Sequence, residues 1–265
     1  GIETKVYSKE EFNDVGHGGT EQFGAFSYKP GFAINPLKFV NGLAKQALAL
    51  KLKIHEYTKV NKIEKENSSY LLRTNDGSIK TKKIVVATNG FYQEGLIPEM
   101  DARILPVISN IIVTRPLTEE ELSLYNYNTY APIANSKNLL YYYRKLPDNR
   151  ILFGTRGDFE GSNQSNLNRA KDMEKFLKNI FPKWNNIAID YNWRGLIALS
   201  QKLTPSIGKI DNEEIYYGFG YSGVGVSAAP WTGKQLSKLV FSSNSKELNI
   251  SKIYKGLPKK FIFPQ

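Results

Sequence analysis

Residues 215–226, the most informative segment of the chain, read Ile215-Tyr-Tyr-Gly-Phe-Gly-Tyr-Ser-Gly-Val-Gly-Val226. An apolar run enters Gly218, Gly220, Gly223 and Gly225, and a helical pattern follows, so a strand, a glycine-rich turn and a helix over residues 227–240 are expected. Glycines let a backbone approach a bulky ligand, and a helix N-terminus offers N–H groups and partial positive charge to an anion. Pro230 falls in the first turn of that helix, where its missing donor matters little. A plain strand-to-helix turn explains two of these glycines readily and four less well. Spacing alone leaves a ligand site and a plain turn evenly matched.

Outward from this stretch, Lys83-Ile-Val-Val-Ala-Thr-Asn-Gly90 is an apolar strand ending in small and polar residues, where open α/β sheets place nucleotide ligands. Taken alone, a buried strand ending in a turn is the simpler reading. Earlier, Glu10, Glu11 and Phe12 suggest a short helix and residues 24–32 a strand and turn. Asn35-Pro36 with Leu37, Val40, Leu43, Ala44, Ala47 and Leu48 spells a capped amphipathic helix ending near Leu52. Residues 54–63 read as a strand, and 70–74 pairs with 79–81 through Asn75-Asp76-Gly77. A strand at 105–114, a hairpin of 139–144 with 150–155, and a helix at 168–180 closed by Phe181-Pro182 make an antiparallel middle block. Strands at 191–200, 207–210 and 215–218 complete the chain, and Trp193 is placed in the core. Strand-to-helix returns at both ends of an antiparallel block imply two interleaved domains.

The 265 residues, 41% hydrophobic and 12% aromatic, suffice for a full core. With no cysteine, disulfides, thiolate metal sites, a cysteine nucleophile and a cysteinyl cofactor link are excluded. His17 and His55 lack ligand-spaced partners, so no metal site is expected. The net charge of +11 comes from lysines spread along the chain, which reads as a solvated basic surface with no nucleic-acid partner. No run approaches 18 apolar residues and no signal pattern opens the chain, so no membrane span and a cytoplasmic setting are expected. A Gly-x-Ser-x-Gly hydrolase elbow is missing from the sequence.

The two segments, in this order, resemble the D-amino-acid oxidase and glycine oxidase superfamily of FAD-dependent enzymes, and most of all its gamma-glutamylputrescine oxidase-like proteins. Further blocks carry the resemblance: Phe23-Gly-Ala-Phe with Asn35-Pro-Leu-Lys-Phe-Val-Asn-Gly-Leu-Ala44, Thr58-Lys-Val-Asn-Lys-Ile63, Tyr143-Arg-Lys-Leu-Pro-Asp-Asn-Arg-Ile-Leu-Phe-Gly154, Trp193-Arg-Gly195 and Thr204-Pro-Ser-Ile-Gly208. The resemblance implies an α/β (mixed α+β) fold: a truncated FAD-binding Rossmann-like domain interleaved with an antiparallel-sheet substrate domain. Residues 1–50 would enter the substrate domain and 51–100 belong to the FAD domain. Residues 101–190 would form the antiparallel substrate domain, and 191–265 return to the FAD domain. Thr58, Val60, Ala87, Thr88, Asn89 and Gly90 would line the adenosine side of a non-covalent FAD. Gly220, Tyr221, Ser222, Gly223, Val224, Gly225 and Val226 would face the isoalloxazine ring, their N–H groups near N1 and the C2 carbonyl. Val224 stands where the family commonly has histidine, and Ser227 where some relatives carry an oxygen-activating lysine, which leaves the electron acceptor open. The pyrophosphate-cradling Gly-x-Gly-x-x-Gly strand-turn-helix with its ribose-binding acidic residue is not found in the sequence. It is expected upstream or on a partner chain, and the 265 residues are expected to be an incomplete fragment, inactive alone.

Tyr141 and Tyr143 share one strand face, Tyr142 and Arg144 the other. Substrate candidates are Tyr143, Arg144, Arg156 and Ser200, the arginines as bidentate partners of a carboxylate. No catalytic residue is assigned. The expected activity is oxidation of the C–N bond of a small-molecule amine or amino acid. The alternative is a non-catalytic subunit or a flavin-free binding module on the same scaffold.

Overall fold

A computed structural model describes residues 1–262 apart from 30, 139, 159 and 242–249. The expectations that touch residues 30, 139, 159, 242–249 and 263–265 lie outside the described residues at those positions. β1 (Glu3–Tyr7) and β2 (Ala25–Lys29) form an antiparallel ribbon with α1 (Lys9–Val15) between them. A capping box starts α1: Glu11 N donates to Ser8 Oγ at 3.1 Å and Ser8 N to Glu11 Oε2 at 2.8 Å. α2 (Pro36–Ala49) stops where Lys51 adopts a left-handed φ of 62°, and none of its residues is buried. β3 (Val60–Glu66), β4 (Ser69–Thr74) and β5 (Ser78–Thr81) make an antiparallel three-stranded sheet. β3 begins later than the expected residue 54, because Tyr57 at φ 55° breaks the extended backbone.

Next come β6 (Ile84–Val86), β7 (Leu105–Thr114), α3 (Glu119–Ser123), β8 (Ile133–Ala134), β9 (Tyr141–Lys145), β10 (Ile151–Asp158) and α4 (Asn163–Ile180). β11 (Ile189–Leu199), β12 (Ser206–Lys209), β13 (Ile215–Phe219) and α5 (Gly225–Phe241) follow. One sheet has the order β11-β7-β10-β9-β8, another β12-β13-β6. The result is a mixed α/β fold with antiparallel sheets and one parallel pair, β13 with β6. By its contacts the chain divides into two units: Gly1–Asn35 with Ile108–Gly195, and Pro36–Val107 with Leu196–Gln265.

The first unit's core sets Met173, Leu177 and Ile180 of α4 against Ile112, Tyr143 and Phe153 of the sheet, with Phe181 and Trp184 closing it. Each such side chain contributes about 1.5–3 kcal/mol on burial. The second unit's core gathers Ile84, Val86, Tyr217 and Phe219 with Ile97, Met100 and Ile104. α4 starts at Asn163, five residues before the periodicity suggested, because Ser162 Oγ accepts Ser165 N–H at 3.0 Å and caps a polar first turn. α5 starts at Gly225, so Pro230 sits in the second turn instead of the first, and the Val226 carbonyl loses its i+4 donor. Trp193 is 44% exposed and not in the core; it lies on β11, the edge strand of its sheet among the described residues.

Candidate functional site

β6 and β13 run in register, Ile84 opposite Ile215 and Val86 opposite Tyr217, so their carboxyl ends lie side by side. Beyond β6 the chain turns at Asn89 with φ 48°; beyond β13 it turns at Gly220 with φ 78°. Gly220 N donates to Asn89 Oδ1 at 3.0 Å and ties the two turns together. The two segments singled out in the sequence thus meet. Ser222 at φ 50° and Gly223 at φ 98° continue the turn, held by Ser222 N to Ala198 O at 3.0 Å and Val224 N to Tyr221 O at 3.0 Å.

Ser200 lies beneath this turn. A Cβ on Gly220 would stand 3.2 Å from Ser200 Cβ and 3.3 Å from its Oγ. The hydroxyl is buried and has no hydrogen-bond partner among the described residues. The N–H groups of Gly225, Val226 and Ser227 precede the first bond of α5, Ala228 N to Val224 O at 3.0 Å, and have no hydrogen-bond acceptor among the described residues. Val224 is 53% exposed. Beside it a cavity of about 280 Å³ is walled by Pro205, Ser227, Ala228, Trp231 and Tyr254. A Cβ on Gly225 would meet Tyr221 at 3.5 Å, ordinary contact, so the turn's shape depends on Gly220 and Gly223. These features suit a hydrogen-bond-accepting group laid on the turn: main-chain donors without acceptors among the described residues, at a helix N-terminus, beside left-handed glycines that bring the main chain close.

The spelling Gly-x-Gly-x-x-Gly does occur, at Gly218, Gly220 and Gly223, which the sequence reading missed. Its setting differs from a dinucleotide fingerprint. A Cβ on Gly218 would press on Thr232 and Leu236 of α5 at 2.6 and 2.7 Å, so this glycine lets helix and strand pack closely. Among the described residues no strand after α5 returns to lie parallel beside β13, whose neighbours are β12 and β6. A βαβ nucleotide unit needs that return.

Of the other cofactor candidates, Ala87 and Thr88 are exposed, and a Cβ on Gly90 would stand 3.3 Å from Leu196 Cβ. Thr58 Oγ1 donates to Glu56 O at 2.9 Å, and Val60 opens β3 in the separate three-stranded sheet.

In the first unit, cross-strand pairs put Tyr142, Arg144, Gly154, Arg156 and Ser109 on one sheet face and Tyr141, Tyr143 and Phe153 on the other. The second face is core, and Tyr143 is buried in it with its hydroxyl 2.8 Å from His17 Nε2. On the first face Tyr142 lies flat over Gly154, where a Cβ would stand 2.2 Å from its ring, and its hydroxyl meets Ser109 Oγ at 2.7 Å. Arg144 Nη2 donates to Ile34 O at 2.9 Å. Arg144 and Arg156 thus share a face with Tyr142, while Tyr143 does not. Ser109 went unread because its relevance comes from pairing across strands, far off in sequence.

His17 is fully buried among Phe12, Tyr127, Tyr143 and Phe181. Gly19 N donates to its Nδ1 at 3.0 Å, and burial pushes the imidazole pKa down to about 4.

A protein-family model described as DAO, FAD dependent oxidoreductase, matches residues 1–239. A probable oxidoreductase OrdL of Haemophilus influenzae is 28% identical over 233 residues, 84% of this chain and 52% of that protein. Gamma-glutamylputrescine oxidoreductase of Escherichia coli is 30% identical over 220 residues, 82% of this chain and 50% of the relative. The chain spans about half the length of the curated relatives it matches. A crystal structure of glycine oxidase from Geobacillus kaustophilus superposes with a TM-score of 0.75 at 20% identity, covering 91% of this chain and 63% of that one, a likeness of fold. Among the described residues no helix is long and apolar enough to cross a membrane.

Proposed function

The chain belongs to the DAO family of FAD-dependent oxidoreductases, and from that premise we propose that residues 220–226 form the isoalloxazine-facing part of an FAD site serving the oxidation of a C–N bond in a small amine or amino acid. The observation that carries this reading is the junction of Asn89 with Gly220, which joins two strand ends and a helix N-terminus above the unpartnered Ser200 hydroxyl. Bound FAD supplies the hydride acceptor. The chain's own part is to hold the ring: the free N–H groups of Gly225 to Ser227 and the positive end of α5 favour negative charge gathering near N1 and the C2 carbonyl. Gly220, where a Cβ would press on Ser200, and Gly223 let the turn take the left-handed conformation that lays its main chain against the ring.

On the open sheet face of the first unit, Arg144 or Arg156 binds a substrate carboxylate, and the Tyr142 hydroxyl, oriented by Ser109, is a further hydrogen-bonding group. The amine needs only to bind neutral and oriented; the imine product then hydrolyses in water.

The pyrophosphate and ribose fall to a strand-turn-helix outside these residues, from the same polypeptide or a companion chain. Two observations support this: β6 is an edge strand of its sheet with Val85 47% exposed, and α2 carries an uncovered apolar stripe of Leu37, Val40, Leu43 and Leu48. With no cysteine in the chain, His17 enclosed in aromatic rings and His55 outside the segments assigned to the ring, the reading is that FAD is held without a covalent link from this chain.

The test uses the complete gene product purified with its flavin. Acid precipitation is expected to release the yellow colour into the supernatant, and amine or amino-acid substrates to bleach it without added cofactor. A colourless protein that takes up no added FAD would favour the flavin-free scaffold. Arg156→Lys, which keeps the charge and loses the bidentate fork, should raise KM for a carboxylate-bearing substrate about tenfold or more with little change in kcat.

A further inference from the structure

We propose that residues 250–262 act as a clamp that positions the loop 200–205 under the Gly220 turn, with Lys202 and Thr204 as the positioning residues. The proposal rests on the flavin reading of that turn. The segment lies past the stretch that the family match covers, which ends at residue 239.

Three side chains of the loop reach across to the segment, and every acceptor is a main-chain carbonyl. Gln201 Nε2 donates to Lys260 O at 2.9 Å, Thr204 Oγ1 to Ile253 O at 3.1 Å, and Lys202 Nζ to Lys255 O at 2.9 Å and Gly256 O at 3.4 Å. The Lys202 ammonium makes no ion pair with a carboxylate among the described residues, and burial lowers its pKa. A cation held by carbonyls alone, partly out of water, marks a fixed contact and not a solvated surface charge.

The clamp has its own anchors. Gly256 N donates to Ile207 O at 3.3 Å, Phe261 N to Ala102 O at 2.6 Å, Lys260 Nζ to Pro98 O at 2.9 Å, and Arg103 Nη1 to Pro258 O. Ile250 packs with Ile207, Tyr216 and Leu236. The clamp is thus fixed to the sheet on one side and grips the loop on the other. What the loop carries at its start is Ser200, whose buried hydroxyl lies under Gly220; what it carries at its end is Pro205, which with Tyr254 walls the cavity beside Val224 and Ser227. Releasing the clamp therefore frees both the floor of the turn and one wall of the cavity. Because the acceptors are carbonyls, the grip depends on the path of the chain and leaves no signature in the residue types of the segment.

The experiment compares the unvaried protein with Thr204→Val plus Lys202→Met, near-isosteric changes that remove the donors, and with Thr204→Ser, which keeps the hydroxyl. Amide exchange at residues 200–205 and 220–228 is expected to quicken about tenfold in the double variant, as for the loss of one to two net hydrogen bonds, with the β4–β5 hairpin unchanged. In the flavin-loaded complete protein, FAD should be held about tenfold more weakly and its visible circular dichroism should change, while Thr204→Ser behaves as the unvaried protein. Unchanged exchange at 220–228 overturns the proposal, as does quickened exchange with FAD affinity and dichroism unmoved. If the unvaried protein takes up no FAD, the flavin reading fails by itself, and the exchange result alone decides the clamp.

Discussion

His17 shows how one buried side chain sets a pH dependence. Its Nδ1 accepts from Gly19 N–H, so the neutral ring carries its proton on Nε2, toward the Tyr143 hydroxyl. With the folded pKa near 4 against an ordinary 6.5, the unfolded chain binds the proton first. Stability is therefore highest above about pH 6.5 and falls as the pH drops toward 4, by up to about 3 kcal/mol. Denaturant melts at pH 7 and pH 4 should show His17→Gln losing less stability over that interval than the unvaried chain; parallel losses would remove His17 as the cause. Gly154 is a second residue-scale case. In Gly154→Val the new side chain collides with the Tyr142 ring and breaks the Ser109 contact, at a cost of about 1–3 kcal/mol. A Tm within 1 °C of wild type, roughly the limit set by a negligible ΔΔG, would contradict the flat placement of Tyr142.

At the scale of elements, legibility followed local signal. The pairing of residues 70–74 with 79–81 was plain because Asn75-Asp76-Gly77 spells a turn between alternating residues, and that of β9 with β10 because Pro147-Asp148-Asn149 spells the turn between them. β1 was invisible: its partner Ala25–Lys29 lies about twenty residues on, and four of its five residues are exposed, so no periodicity betrays it. The first turn of α4 was missed because Asn163, Gln164 and Ser165 are polar and poor in helix signal, and only the Ser162 cap declares the start. That gives a prediction: Ser162→Ala should destabilise by about 1 kcal/mol and lower Tm by roughly 2–4 °C, read by calorimetry. No change would mean that α4 needs no cap there. In the candidate site, the two glycine- and asparagine-bearing turns were legible as segments. Their joining through Asn89 and Gly220 was not, because parallel pairing of β6 and β13 brings together residues 131 positions apart.

At the scale of the molecule, the proposed function puts the ring-facing turn of a family flavoenzyme scaffold on residues 220–226. Family membership follows from the match over residues 1–239. The turn itself is specific enough to test. Gly223 has φ 98°, a conformation that a β-branched residue strongly resists, and its neighbours Ser222 and Val224 are fixed to Ala198 and Tyr221 by main-chain bonds. The most direct measurement is the FAD content per folded molecule of the complete protein, wild type against Gly223→Val, with far-UV circular dichroism and Tm taken on the same samples. Flavin is expected at one per folded molecule in wild type, and is expected to be lost in the variant while the dichroism stays near wild type. A variant that keeps full FAD stoichiometry and affinity, losing only stability, would contradict the placement of the ring on this turn.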